Sequence, residues 1–247
     1  MILRPYQTRA VDLARAAFLA GKRRILLVAP TGAGKTVIAT HGLIAPAVAR
    51  GSRVLFLAHR QELIDQCAAK LGELPYGIIK ANIKPHPYAP IQVASVQTLA
   101  RRDLPPADLV VVDEAHHTTG DNSYGVILAA YPNAAIVGLT ATPFRLDGRG
   151  MGSVFDALIP VATVSELIAA GALVRPRTFA LPAPDLAGIR TVAGDYADGA
   201  LAHRMDTKRI GTALVETYRK HADGRSAIAF GVNVAHAEHI ADEFTAA

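Results

Sequence analysis

Cysteine and long apolar runs are the two features that this sequence has least of. Cys67 is the single cysteine among 247 residues, so an internal disulfide framework is excluded and cysteine alone cannot form a metal site. We interpret it as a small apolar side chain on a helix. No apolar run approaches the roughly 20 residues that cross a bilayer, and residues 1–18 carry charges where a signal peptide has its apolar core. We therefore expect a cytoplasmic, soluble protein with no membrane partner.

Short β-branched or apolar runs alternate with longer helical patterns over the first 141 residues. Near-continuous apolar strands separated by helices are typical of a mainly parallel sheet that helices cover on both faces, and so of the α/β class. In that architecture ligands bind at the carboxyl ends of the strands. The predicted strands are 24–29, 54–58, 91–96, 109–113 and 135–141, and the first helices are 35–50 and 60–72.

The pattern changes after residue 142, where a second and smaller α/β unit opens. The segment 163–171 predicts a short helix that begins near Thr163 or Ser165 and stops at Gly171. A sheet needs more strands than this part offers, so we expect the unit to be incomplete and place the domains at 1–170 and 171–247. Its other predicted elements are strands at 175–181 and 226–231 and helices at 209–221 and 235–244.

Basic residues recur near the ends of the predicted strands. The formal net charge of +5 permits a polyanionic partner, but charge describes the surface and does not prove such a partner. An ordinary solvated surface accounts for these residues equally well. They are Lys22, Arg23, Arg24, Arg60, Arg101, Arg102, Arg145 and Arg149.

The motif APTGAGKT (29–36) directly follows the first predicted strand and opens a helix. Such a loop turns successive backbone N–H groups toward one point, where the helix N-terminus adds positive potential. Lys35 can reach the β- and γ-phosphates of a nucleotide, and the Thr36 hydroxyl can ligate Mg²⁺. Gly32 and Gly34 leave room for a phosphate. A glycine-rich turn that binds nothing is the alternative, and the strand–loop–helix context speaks against it.

The segment VVVDEAHH (110–117) ends an apolar strand in four ionisable groups. A zinc site of the H-E-x-x-H kind needs helical spacing, which fails here because the acids precede the histidines at a strand end. In a P-loop protein, an acid at the end of a strand holds Mg²⁺, and the next acid orients or deprotonates water. We therefore predict that Asp113 is the magnesium partner and Glu114 the general base. A solvated strand end is the alternative.

APTGAGKT, DEAH and the TAT of residues 140–142, in this order, resemble motifs I, II and III of the superfamily 2 helicases and translocases. LTATPFRLDGRG together with DEAHH is most similar to the RadD-like or restriction-subunit-like DEAD/DEAH-box branch. Motif I of the family commonly begins with alanine, which fits Ala29. The resemblance implies a RecA-like P-loop NTPase that uses ATP and Mg²⁺ to act on nucleic acid, with DNA favoured over RNA.

Individual roles follow from the resemblance, residue by residue. LRPYQ (3–7) is similar to the adenine-recognition segment, in which Gln7 would bond the base edge and Arg4 would pack on its face. His116 would link the loop of Glu114 to motif III, whereas His117 is interpreted as structural. The implied nucleotide-binding residues are Arg4, Gln7, Pro30, Thr31, Gly32, Ala33, Gly34, Lys35 and Thr36; the coupling residues are Thr140, Ala141 and Thr142; and the nucleic-acid contacts are His59, Arg60, Gln97 and Thr98.

Family members hydrolyse ATP between two RecA-like domains, and the second domain supplies arginine fingers from motif VI. Motifs V and VI are not found in these residues, and Arg145 and Arg149 lie on the wrong domain to replace them. We therefore expect the chain alone to bind ATP–Mg²⁺ and hydrolyse it weakly, until the rest of the second domain or a partner chain completes the cleft. A nucleotide-dependent binding module without turnover and the motor of a restriction system are the alternatives.

Overall fold

The computed structural model describes residues 2–81, 83, 86–144, 148, 150–180, 184–192 and 195–247. The chain divides into two compact units, Met1–Arg175 and Pro176–Ala247. The domain boundary that we predicted after residue 170 stays a prediction. Within the described residues, no helix combines the length and the apolar character that crossing a bilayer requires.

The first unit is organised around a seven-stranded sheet with the strand order β3-β4-β2-β5-β6-β1-β7. Every pairing between neighbouring strands is parallel, which confirms the α/β class and the mainly parallel sheet. The strands are β1 (Arg24–Val28), β2 (Val54–Ala58), β3 (Tyr76–Ile79), β4 (Ile91–Ser95), β5 (Leu109–Val112), β6 (Ala135–Thr140) and β7 (Ala157–Pro160).

Helices cover both faces of this sheet, as predicted, because alternate strand residues point to opposite sides. On β1, Ile25 and Leu27 join one buried cluster with α1, α4 and α7, whereas Leu26 joins the other cluster with α5 and α6. A π-helical segment, Ile38–Ile44, joins α2 to α3. The helices are α1 (Pro5–Leu19), α2 (Lys35–Val37), α3 (Ala45–Val48), α4 (Gln61–Leu71), α5 (Val96–Leu99), α6 (Ser123–Ala129) and α7 (Val164–Ala169).

Local sequence signals set the ends of several of these helices. Thr163, rather than Ser165, is the N-cap of α7, where Thr163 and Glu166 form a reciprocal capping box. Pro5 opens α1, a position where its missing N–H costs nothing. Cys67 is fully buried on α4, so its interpretation as a small apolar side chain on a helix is confirmed.

The described residues of the second unit form three helices and a two-stranded antiparallel ribbon. The predicted helices at 209–221 and 235–244 are confirmed. The ribbon pairs β8 (Thr191–Val192) with β9 (Asp195–Tyr196), and the helices are α8 (Asp198–Met205), α9 (Lys208–Ala222) and α10 (Val234–Ala246).

The predicted strands at 175–181 and 226–231 are wrong for the residues that the structure describes, since none of residues 175–180 or 226–231 lies in a strand; residue 181 is outside the described residues. A strand needs a hydrogen-bonded neighbour, and the described part of this unit offers these segments none. Ile228 and Phe230 are consequently 84% and 88% exposed.

Candidate active site

The predicted motifs meet at one edge of the first unit's sheet. Strands β5, β6 and β1 are consecutive in the sheet, and they are parallel, so the segments that follow them emerge side by side. The loop 29–34 follows β1, the acid pair follows β5, and residues 141–142 follow β6. This is the edge at which parallel α/β sheets bind ligands.

The loop between β1 and α2 depends on two glycines for its shape. Gly32 and Gly34 have φ values of +86° and +79°, a region in which a side chain is disfavoured. A Cβ on Gly34 would lie 2.7 Å from Gln7 Nε2, and one on Gly32 would lie 2.6 Å from Leu173 Cδ2. Both positions therefore favour glycine for backbone conformation, whether or not a phosphate is bound. Space adds to this at Gly34, where the neighbouring amide is buried and hydrogen-bonded, whereas at Gly32 the neighbour is the end of a leucine side chain that can move.

The N-terminal segment is anchored to this loop by hydrogen bonds. Gln7 is 4% exposed; its Nε2 donates to the carbonyl of Ala33 at 3.0 Å, and its Oε1 accepts from the backbone N–H of Arg4 at 2.9 Å. The Tyr6 hydroxyl donates to the same Ala33 carbonyl at 3.2 Å. Tyr6 was not predicted, although it stands directly beside Gln7 in the sequence. An amide side chain has a second N–H and a second lone pair, so the predicted adenine contact of Gln7 stays open, as does that of Arg4.

Asp113 follows the last residue of β5 and is 6% exposed. Its backbone N–H donates to the carbonyl of Leu57 at 2.9 Å, which continues the sheet ladder. Burial raises the pKa of its carboxyl, and so does the nearby charge of Glu114, whereas the N–H of Glu114 and the charge of Lys35 lower it. A bound divalent cation would reverse that balance, so this carboxylate fits a magnesium ligand.

Glu114 has a φ of +48°, and it is the one non-glycine residue with a positive φ in the described part of the chain. Its N–H donates to Asp113 Oδ1 at 3.0 Å. Such backbone conformations cost on the order of 1–3 kcal/mol and cluster at functional sites. The turn aims the carboxylate between two cationic or polar groups: Lys35 Nζ lies 3.7 Å from Glu114 Oε1, and His116 Nδ1 lies 3.4 Å from Glu114 Oε2.

His116 joins Glu114 to the end of β6. Its Nδ1 lies 3.0 Å from the hydroxyl oxygen of Thr140, which is fully buried. That hydroxyl donates its one hydrogen to the carbonyl of Thr142 at 2.8 Å and accepts from the N–H of Thr142 at 3.1 Å. We therefore assign the imidazole proton to Nδ1, which donates to Thr140. The backbone N–H of Ala29 also donates to the Thr140 carbonyl at 2.8 Å, so Thr140 contacts both other motifs.

The residues predicted to contact nucleic acid follow β2 and β4, on the side of β5 opposite to β1. Arg60 is exposed, and its Nε donates to His59 Nε2 at 3.1 Å. Gln97 is exposed on α5 and accepts from the Ser95 hydroxyl at 2.9 Å, while Thr98 is partly buried. The structure brings these residues to the same edge of the sheet as the acid pair, and their role stays a prediction. Arg145 and Arg149 lie outside the described residues.

One contact between the residues predicted to bind nucleic acid and the residues that follow the acid pair was not predicted from the sequence. The ring of His117 lies against the rings of His116 and His59, with centroid distances of 4.2 Å and 4.6 Å. Within the described residues, no group of three or more His, Cys, Asp and Glu side chains is arranged to hold a metal ion. An Mg²⁺ ion bound here would therefore rely on Thr36, Asp113, phosphate oxygens and water, as is usual for this ion.

Comparison with known proteins gives consistent matches. Residues 1–145 match the family described as type III restriction enzyme, res subunit. A 51.5 kDa protein of a Lactococcus phage (isolate 7-9) is 31% identical over 223 residues, which cover 89% of this chain and 46% of that protein. IRC3 of Saccharomyces cerevisiae, whose name assigns it provisionally to the ATP-dependent helicases, is 31% identical over an alignment of 266 positions. The alignment covers 97% of this chain and 38% of that protein. The chain thus spans less than half the length of either relative.

The fold is also found among solved structures. The crystal structure of the UvsW helicase from bacteriophage T4 matches with a TM-score of 0.54 and 19% sequence identity, over 65% of this chain and 60% of that chain. At this identity the match shows a shared fold, and that fold is the RecA-like helicase domain.

Proposed function

This chain belongs to the type III restriction enzyme res subunit family, a restriction-subunit-like branch of the superfamily 2 helicases, and on that premise we propose that it supplies the first half of an ATP-driven nucleic-acid motor. The observation that carries the proposal is the placement of Lys35, at the start of α2, and Glu114, in the turn after β5, with 3.7 Å between Nζ and Oε1. A phosphate-binding cation and an acid thereby face the same space at the carboxyl edge of the sheet.

The loop 29–36 would hold the phosphates of ATP. Its backbone N–H groups and the start of α2 favour an anion, and Lys35 would neutralise charge on the β- and γ-phosphates. Asp113 and the Thr36 hydroxyl would hold Mg²⁺, since Asp113 is a buried acid that follows β5 at the same edge of the sheet as the loop that follows β1. The bound ion supplies positive charge against the phosphate oxygens.

Glu114 is the proposed general base for the attacking water. Its carboxylate is held between Lys35 and His116, which leaves it little freedom to turn away. His116 in turn is held by Thr140, and Thr140 by Thr142. These contacts support the proposed coupling role of residues 140–142, because any movement after β6 reaches Glu114 through one imidazole.

Nucleic acid is the proposed substrate, and DNA is favoured because the matched family is named for a restriction enzyme. His59, Arg60, Gln97 and Thr98 would contact phosphates of one strand. Such contacts position a strand without reading its sequence, and they weaken steeply as salt rises. The same family name supports a place in a restriction system.

We also propose that the second half of the ATP cleft comes from the remainder of a second RecA-like domain, or from a partner chain, beyond the part that 171–247 provides. The support lies in the segment 226–231, which was predicted as a strand and carries Ile228 and Phe230 exposed to solvent. Added strands would cover these side chains. Without an arginine finger, hydrolysis by this chain is expected to be slower by about 10³-fold or more.

The test is to measure binding and turnover separately. Titration with an ATP analogue should show binding that requires Mg²⁺ and is lost in EDTA. ATP hydrolysis should be weak, and single-stranded DNA should raise it more than RNA of the same length. Absence of nucleotide binding would refute the proposal. Nucleotide binding without ATP hydrolysis, whichever nucleic acid is added, would favour a binding module without turnover. Stronger stimulation by RNA would reverse the preference for DNA.

A further inference from the structure

The imidazole rings of His59, His117 and His116 form a continuous row. It runs from the residues predicted to contact nucleic acid to the residues around Glu114. The His59 and His117 rings meet edge to face, with centroids 4.6 Å apart and an interplanar angle of 67°. The His117 and His116 rings are tilted by 45° with centroids 4.2 Å apart. The row exists because β2 and β5 are parallel neighbours, with Leu57 paired to Val112, so the residues after each strand end face each other.

The two ends of the row carry different chemistry. At the outer end, His59 Nε2 accepts from Arg60 Nε at 3.1 Å, and Arg60 is exposed. At the inner end, His116 Nδ1 lies 3.0 Å from the Thr140 hydroxyl and 3.4 Å from Glu114 Oε2. An exposed cation suited to a phosphate is therefore connected to the proposed general base through consecutive side-chain contacts.

Burial is the main cause that lowers the pKa of His59 and of His117, and like charge on neighbouring imidazoles adds to it. The hydrogen bond from Arg60 requires an unprotonated Nε2 on His59, which places the ring proton on Nδ1, a buried atom without a protein partner among the described residues. The His59 and His117 rings meet in the edge-to-face geometry in which aromatic rings attract each other.

His117 is the middle residue of the row, and its ring connects the rings of His59 and His116. Its backbone is fixed independently: its N–H donates to the Glu114 carbonyl at 3.0 Å, and its carbonyl accepts from Asn122 Nδ2 at 2.6 Å. Its ring contacts the rings of His59 and His116. The backbone bonds hold the short 3₁₀ turn Ala115–His117, whose preceding residue is Glu114 in its costly left-handed conformation.

We propose that His117 is a positioning residue that couples nucleic-acid engagement at Arg60 to the carboxylate of Glu114 through the ring contacts of His59, His117 and His116. This inference rests on the proposed function. The element that would change state is the turn at Glu114, whose left-handed backbone is disfavoured for a residue that carries a side chain. A phosphate that binds Arg60 would displace the three rings. That displacement would change the conformation of the turn at Glu114. The competing explanation is that His117 only fills space.

The experiment measures coupling between two ligands on the full chain. Fluorescence anisotropy of a labelled 20-nucleotide single-stranded DNA gives its affinity with and without Mg²⁺ and a non-hydrolysable ATP analogue. Nucleotide titration with and without the same DNA gives the reciprocal ratio, and the two ratios must agree. In the wild-type chain we expect a ratio of about fivefold or more, the usual lower range for coupled sites.

Three variants separate coupling from packing. His117→Ala should bring both ratios close to one while each ligand still binds on its own. His117→Phe keeps an aromatic ring without nitrogen atoms and should retain the coupling. His86→Ala, which removes an exposed imidazole in the same unit, is the matched control and should change nothing.

Each other outcome overturns the inference in a recognisable way. Coupling that survives in His117→Ala excludes the role, and loss in His117→Phe as well as in His117→Ala excludes ring contact as its basis. A fall in both separate affinities and in melting temperature, with the ratio kept, identifies a space-filling residue. If the wild-type chain binds both ligands without coupling, the inference fails and the proposed function stands. If it binds neither ligand, the proposed function fails and the inference falls with it.

Discussion

Lys35 Nζ and Glu114 Oε1 lie 3.7 Å apart, although the strands that precede them, β1 and β5, are separated in the sheet by β6. The two side chains are 15% and 25% exposed, so their attraction is screened less than that of a surface pair. We infer that Lys35 and Glu114 balance each other's charge when no phosphate is near. A bound γ-phosphate would compete for Lys35 and leave Glu114 to water. The pair would then link nucleotide binding to release of the proposed base.

Replacing Lys35 by alanine should weaken nucleotide binding. Hydrogen bonds to a charged group contribute about 1.5–3 kcal/mol, so the dissociation constant of an ATP analogue should rise by about 10- to 150-fold. Titration with a fluorescent analogue checks this. Lys70→Ala removes an exposed lysine of α4 and serves as the control. Unchanged affinity in Lys35→Ala would mean that the loop does not hold phosphates in the proposed way.

Glu114→Gln should keep nucleotide binding and lose hydrolysis. A general base contributes about 10²- to 10⁴-fold, whereas the amide preserves the size of the side chain. The measurement is the rate of phosphate release under saturating ATP and DNA, next to the affinity for the analogue. Glu73→Gln, at an exposed position, should behave as wild type. If Glu114→Gln hydrolyses ATP at the wild-type rate, another group activates the water.

Comparing Gly34→Ala with Gly51→Ala separates the two reasons for glycine at position 34, which are backbone conformation and lack of space. Gly51 lies outside the loop 29–34 and serves as the reference. Both residues have similar φ values, +79° and +81°, but only at Gly34 would a Cβ meet a neighbour, Gln7 Nε2 at 2.7 Å. Left-handed backbone costs a non-glycine residue roughly 1–2 kcal/mol, and Gly51→Ala should lose only this amount in a urea unfolding experiment. Gly34→Ala should lose more, because Gln7 must also move. Equal losses would show that the contact with Gln7 adds nothing.

Thr140→Val should destabilise the first unit by about 1–3 kcal/mol, the cost of leaving buried polar groups unpaired. The change removes one hydroxyl that contacts His116, the Thr142 carbonyl and the Thr142 N–H together. Thr142→Val, which removes a hydroxyl from an exposed side chain, is the comparison. Urea unfolding of both variants checks the difference. Equal stability of the two would contradict the role given to the Thr140 hydroxyl.

Asp156 should contribute a pH-dependent part of the stability. Its Oδ2 accepts from the backbone N–H groups of Arg23 and Arg24, both at 2.9 Å, and these bonds lower the pKa of the carboxyl below its ordinary value of 3.8. A lowered pKa in the folded state stabilises above pH 3.8, and the benefit disappears as pH falls through the lowered value.

Asp156→Asn should therefore be less stable than wild type at pH 7, and the difference should shrink below pH 4. Urea unfolding at pH 7, 5, 4 and 3 measures it. Asp103→Asn, at another exposed aspartate, should show no such dependence. A difference that stays constant down to pH 3 would mean that the carboxylate charge is not what these two amides need.

The central strands were predictable because burial on both faces produces continuous apolar runs. All five predicted strands of the first unit, at β1, β2, β4, β5 and β6, are present. The strands β3 and β7 lie at the two edges of the sheet, and their short segments YGII and ALIP carry too weak a pattern. Edge strands are specified by the neighbour that they join, which local sequence does not contain.

The site was predictable where its chemistry is local to one loop, as in APTGAGKT and DEAH. Contacts between loops were not predictable, because they depend on which strands become neighbours. The contact of His59 with His117 joins residues 58 positions apart by the pairing of β2 with β5. The failure at 226–231 has the same origin, since Ile228 and Phe230 have a strand-like sequence and no strand beside them.

The bond from the Glu114 amide to Asp113 Oδ1 makes the two acids unequal targets for substitution. Asp113 Oδ1 accepts from the N–H of a residue in a disfavoured backbone conformation, so removing that carboxylate would alter the proposed metal site and the direction of Glu114 in a single change. Replacing Glu114 would alter only the proposed base and keep this hydrogen bond. A chain intended to trap nucleotide without turnover should therefore carry its substitution at 114, and an inactive Asp113 variant says little about metal by itself.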